Sequence, residues 1–205
     1  MPSTNFTLSA SSSVLADALS GNFTNYAGNV TLTDAAPSAA NLAIINNKTS
    51  GTITLNADDA TFSGTAADLS AAFAGGLVGT QTGAVTVSDT SGTIAATTLS
   101  SIGEQTDGVV TAAAAGITIS GTAAEVTDAL VTTGKLVLAS NAAVTISDTS
   151  GTINATVLSA IGAKTGGVVT AASGGITISG TAAEVTDALV TTGSLVVAGS
   201  ADVTI

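Results

Sequence analysis

Residues 117–134 read ITISGTAAEVTDALVTTG, and residues 176–193 spell the same 18 residues again, displaced by 59 positions. A chain that repeats itself this closely is built from stacked copies of one small unit, because such a unit cannot bury its apolar face alone and does so against its neighbour. The wider comparison agrees: residues 84–142 match residues 143–201 at 46 of 59 positions. A weaker mark runs through the whole chain, an apolar–Thr–apolar–Ser/Thr strand centred on Thr7, Thr31, Thr61, Thr86, Thr118, Thr145, Thr177 and Thr204. The intervals are 24, 30, 25, 32, 27, 32 and 27, so short and long units alternate and the true repeat is the pair of 59. Residues 1–83 form diverged units of the same array, 84–142 and 143–201 are repeat pairs, and 202–205 begin another unit, so the sequence reads as part of a longer array.

The expected fold class is a mixed α/β repeat protein, an elongated solenoid-like stack of strand-strand-helix units of about 24–32 residues paired into the 59-residue repeat. In the short unit Ile117, Thr118, Ile119 and Ser120 alternate as in a strand buried on one face. Thr122 and Glu125 have capping-box spacing, repeated by Thr181 and Glu184 and more weakly by Thr65 and Asp68. Val126, Ala129 and Leu130 share a helical face, and Gly134 falls where a left-handed helix stop is expected. Residues 136–139, apolar at every position, read as a strand covered on both faces. In the long unit residues 144–147 form the alternating strand and residues 148–151 a turn. Ile153, Val157, Leu158 and Ile161 line a helix ending near Gly162. Pro37 reads as the first residue of a helix over 38–46. Two stackings satisfy the spacing of strands (~4.8 Å) and helices (~8–10 Å). One is a wound coil whose two strands lie in separate parallel sheets, the preferred reading. The other, which the alternating unit lengths keep open, puts both strands in one sheet under a layer of helices.

Composition then limits function. The chain carries 14 acidic residues against three lysines, with no arginine, histidine or cysteine, for a net charge of −11. Without clustered Lys or Arg there is no footprint for nucleic acid or for an anionic membrane face. Without His or Cys the usual general base, thiol nucleophile and transition-metal ligands are missing, so a non-enzyme is expected. Glu125 with Asp128, and Glu184 with Asp187, are the remaining paired carboxylates, and they read as a cap plus a solvated position, copied with the repeat. No window approaches the ~18 apolar residues of a spanning helix, and MPSTNFTLSASSS lacks the basic and apolar regions of an ordinary secretory signal.

Two sets of residues remain as candidate sites. Asp34, Asp89 and Asp148, each in or near an SDTSG-like turn, are the weak calcium candidates. One carboxylate among hydroxyls is far from the six to eight oxygens calcium takes, and each reads first as bonding its own turn backbone. No other cofactor is expected. The second set is a Thr-x-Ser ladder, a possible binding face for ice or another repetitive surface: Thr31, Thr33, Thr61, Ser63, Thr86, Ser88, Thr118, Ser120, Thr145, Ser147, Thr177 and Ser179. The plain alternative is Thr tolerated as a β-branched residue on an exposed strand.

VTISDTSGTINATVLSAIG and ITISGTAAEVTDAL resemble repeats of very large Ala/Thr/Ser/Gly-rich surface and secreted proteins of cyanobacteria. The resemblance covers residues 84–205 well and the first 80 or so loosely. It implies an extracellular or cell-surface location, export without an N-terminal signal, and a structural, adhesive or motility-associated role. Neighbouring repeats of the same chain are the expected partners, because an uncapped stack presents unpaired strand edges. No catalytic residue carries over from it.

Overall fold

The structure, a computed structural model, describes residues 6–21, 25–79, 81–132, 134, 137–191, 193 and 196–205. It divides into two compact units, residues 1–88 with 104–110, and residues 89–103 with 111–205. In the first lie β1 (Leu8–Ala10), α1 (Ser12–Ser20), β2 (Val30–Leu32), α2 (Ala39–Lys48), β3 (Ile53–Thr54), β4 (Phe62–Gly64), α3 (Ala66–Phe73) and β5 (Val85–Val87). The second begins with β6 (Gly92–Ala95) and α4 (Ala96–Gly103). After β7 (Val110–Thr111), at the boundary between the units, come β8 (Ile117–Gly121), α5 (Ala123–Leu130), β9 (Val137–Leu138), β10 (Ala143–Ile146), β11 (Gly151–Asn154) and α6 (Ala155–Gly162). It closes with β12 (Val169–Thr170), β13 (Ile176–Ser179), α7 (Ala182–Leu189), β14 (Val196–Val197) and β15 (Asp202–Thr204). The fold is a mixed α/β stack of repeating strand-and-helix turns with parallel sheets, as the periodicity implies.

The ladders make the winding explicit. Leu8 pairs with Val30 and Val30 with Ile53. Gly92 pairs with Ile117, Thr118 with Ala143, Val144 with Val169, and Val169 with Val196. All of these are parallel, and each joins residues one chain turn apart. A parallel pair needs a long crossover between its strands, and here one turn of the coil supplies it. The inward positions of the sheet β6-β8-β10-β12-β14 are Ile94, Ile119, Val144, Val169 and Val196, at most 7% exposed. At roughly 1.5–3 kcal/mol per buried aliphatic side chain, this column is a principal source of cohesion in its unit. The helices pack in sequence order, α1 on α2 and α2 on α3 in one unit, α4 through α7 in the other. Phe62 and Phe73 meet edge to face at 5.1 Å in the core of the first unit.

Four local readings are corrected. The long unit has an extra strand: Ile153 lies on β11, which pairs with β13, and α6 starts two residues later. Gly151 makes this possible by taking φ +95 at the turn, a conformation open mainly to glycine. Second, the apolar strand is covered on one face only. Val137, Val169 and Val196 are buried, whereas Leu138, Val168 and Val197 are 52%, 47% and 50% exposed; Leu136 lies outside the described residues. Third, α2 begins at Ala39 behind Ser38, so Pro37 precedes the helix instead of opening it. Gly134 likewise stands beyond the cap of α5, which is Val131.

The coil also mixes strand types. Strand neighbours recur every 25 residues around β8 and β10, while helix starts in the same unit fall at 96, 123, 155 and 182. The strand turn is shorter than the helix interval. The sheet β6-β8-β10-β12-β14 therefore takes strands that precede a helix at one edge and strands that follow one at the other. Alternating and apolar strands share a sheet instead of occupying separate ones.

Candidate functional site

Asp34, Asp68, Glu125, Asp128, Asp148, Glu184 and Asp187 join or finish helices. Asp148, in the turn after β10, accepts from the backbone amide of Ala123 at 2.7 Å, the first residue of α5 one turn earlier. Asp34 does the same for α1, accepting from the Ser12 amide at 3.1 Å and from its hydroxyl at 2.5 Å. Two of the three calcium candidates therefore bond the helix start of the preceding turn, not their own turn backbone. A helix N-terminus has four unpartnered amides and a positive dipole end, so a carboxylate from the neighbouring turn suits it. Among the described residues no group of three His, Cys, Asp or Glu could hold a metal ion.

The paired carboxylates are likewise placed by structure. Glu125 completes a capping box, accepting from the Thr122 amide at 2.8 Å while its own amide donates to the Thr122 hydroxyl at 3.2 Å. Asp128 accepts from the Ser100 hydroxyl on α4, and Asp187 from the Ser159 hydroxyl on α6, so each ties its helix to the one before. Glu184 repeats the box on α7, where the Thr181 amide and hydroxyl hold its carboxyl below the usual glutamate range. Thr65 and Asp68 form the weaker version, with the Thr65 hydroxyl bonding the carboxylate directly at 2.9 Å.

Two expectations follow. Asp148→Ala is expected to cost about 1–2 kcal/mol, the typical loss of a helix cap, with faster hydrogen exchange at the Ala123 amide as its local signature. For Glu184 the folded group titrates lower than the unfolded one. Its stabilising contribution is complete above the ordinary glutamate range and is lost as pH falls through the folded value. Urea midpoints measured from neutral to acid pH should therefore fall less steeply in Glu184→Gln than in the parent.

The Thr-x-Ser ladder is divided among sheets. Thr31 on β2 stands in register with Ser9 and Thr54, and Ser63 on β4 with Thr86 on β5. Thr118 faces Thr93 and Ala143 across β8, and Thr145 lies opposite Ser120, not Thr118. Thr177 and Ser179 sit on β13 beside Thr152 and Asn154 in a different sheet. Thr33, Ser88 and Ser147 fall just past their strands and bond backward through their amides, to Ala10, Gly64 and Gly121 respectively, and Thr61 precedes β4. The outward rows of the five-stranded sheet are consequently mixed. One runs Ala95, Ser120, Thr145, Thr170, Val197 and the other Thr93, Thr118, Ala143.

A second kind of polar contact escaped the sequence reading. Thr106 is 3% exposed; its hydroxyl donates to the Gly83 carbonyl of the preceding turn at 2.7 Å and accepts from the Gly108 amide at 2.9 Å. Thr165 repeats this with Ala142 and Gly167, and Thr49 with Gly28 and Gly51. The signal was present as Thr-x-Gly at residues 49–51, 106–108 and 165–167.

Beside these contacts lies a groove of about 500 Å³ between α5 and the β11–α6 segment. Its walls include Thr127, Asp128, Asp148, Thr152 and Asn154, and Ile153 and Val157 supply apolar surface. It exists because the extra strand β11 intervenes between the two helices. Comparison of the chain with protein-family models, with curated proteins and with solved structures gives no match.

Proposed function

We infer that this chain is a non-catalytic structural segment of an extracellular or cell-surface protein, a spacer, stalk, coat or adhesin segment whose partners are neighbouring repeats of the same design. The observation that carries the reading is where the polar chemistry goes. Asp34, Asp128, Asp148 and Asp187 each bond a neighbouring turn, Glu125 and Glu184 each cap their own helix, and the buried threonines latch carbonyls one turn back. A chain that commits its acids and hydroxyls in this way adds length by adding turns, without a new core for each increment. The location rests on the resemblance of the repeats to those of large surface proteins. Antibody labelling of producing cells tests it: signal on intact cells is expected, and signal only after lysis overturns the surface assignment.

The sheet rows favour a second reading as a binding module. Ala95, Ser120, Thr145, Thr170 and Val197 present an uncharged face at the ~4.8 Å strand spacing. A repetitive solid such as ice would be the partner, and thermal hysteresis of the purified protein decides. Freezing and melting points that coincide at high protein concentration remove ice as the partner.

A further inference from the structure

We propose that the groove between α5 and the β11–α6 segment binds a neutral, polyhydroxylated ligand, a pyranose unit of a glycan. The groove has the make-up of a small-ligand site, apolar surface with a few polar groups around it. Val157 and Ala124 provide the accessible apolar part, over the buried Ile153 and Ala123. The polar part offers both hydrogen-bonding senses. Among the described residues Asp148 accepts only from the Ala123 amide, through Oδ2, which leaves Oδ1 as an acceptor. Asn154 takes the Ser179 hydroxyl at 3.5 Å on Oδ1, which leaves Nδ2 as a donor, and the Thr152 hydroxyl has no partner among the described residues.

A sugar hydroxyl donates and accepts at once, so vicinal hydroxyls satisfy an acceptor and a donor set side by side, while the C–H face of the ring covers Ala124 and Val157. The groove has no Lys or Arg in its lining, and the chain carries a net charge of −11, so phosphate and carboxylate ligands are repelled. A bare calcium ion would need six to eight oxygens and would leave the Asn154 amide without an acceptor. The inference is independent of where the protein resides, and a failure to bind sugar leaves the structural reading intact.

The test is an amide-resolved NMR titration of the full chain with maltose, cellobiose and methyl β-galactoside. At least one of these neutral sugars should shift the amides of residues 123–128 and 152–154 saturably at millimolar concentration. Each of Asn154→Ala and Thr152→Val should weaken that binding about tenfold, one lost hydrogen bond. Both side chains are exposed and Asn154 makes no helix-cap bond, so the variants keep the fold. No saturable shift with any of the three sugars, or equal affinity in both variants, overturns the proposal.

Discussion

Gly167→Ala is expected to destabilise the protein by about 2–3 kcal/mol, the range for forcing atoms into a packed interior, read as a lower urea midpoint. Gly167 precedes β12, where the coil brings it against the turn before. A methyl group built on it lies 2.3 Å from the Ala142 carbonyl oxygen, 2.6 Å from that carbonyl carbon and 2.8 Å from the Ala143 nitrogen. All three are backbone atoms at the entry to β10, a strand paired with β12, so no flexible side chain can yield. The cost is steric, not conformational, since Gly167 does not have a positive φ. Gly134 is the control. Nothing lies within 4 Å of a methyl there, and Gly134→Ala should leave stability within about 0.5 kcal/mol of the parent. Equal effects at the two sites would show that the turns are not in backbone contact at Gly167.

Thr165→Val is expected to cost about 2–4 kcal/mol despite preserving the shape of the side chain. Thr165 is 7% exposed, its hydroxyl donates to the Ala142 carbonyl, and it accepts from the Gly167 amide at 2.9 Å. Valine leaves an acceptor in one turn and a donor in the next without this partner, and each buried orphan costs about 1–3 kcal/mol. The measurement is urea unfolding of Thr165→Val and Thr165→Ser. Serine keeps the hydroxyl and should recover most of the loss, whereas a serine variant as weak as the valine one would assign the effect to the methyl group. Thr106, joined in the same manner to Gly83 and Gly108, should respond alike.

Much of this architecture is legible in the sequence. The capping boxes at Thr122/Glu125 and Thr181/Glu184, the buried alternation of Ile117 and Ile119, and the helices behind them are local matters that a few consecutive residues settle. The strand β11 was not legible, because Gly-Thr-Ile-Asn is too short for a period and becomes a strand only by pairing with β13. Leu138, Val168 and Val197 misled for the reverse reason: apolar character in a strand does not say whether a second layer will cover it. The partner of Asp148 was hidden too. Its sequence neighbours suggested a local turn, but the amide it meets belongs to Ala123, 25 residues away.

The sequence by itself determined the repeat, its pairing into 59 residues, the caps, and the poverty of catalytic side chains, because each depends on residue identity or on spacing within a few positions. Tertiary structure decided the register. The strand turn of 25 residues is shorter than the helix interval, so strands slide past helices along the sheet, the Thr-x-Ser ladder breaks into separate rows, and Asp148 reaches the preceding helix. Register is a contest between two periods, and it is settled only when backbone hydrogen bonds and side-chain packing between turns are satisfied together.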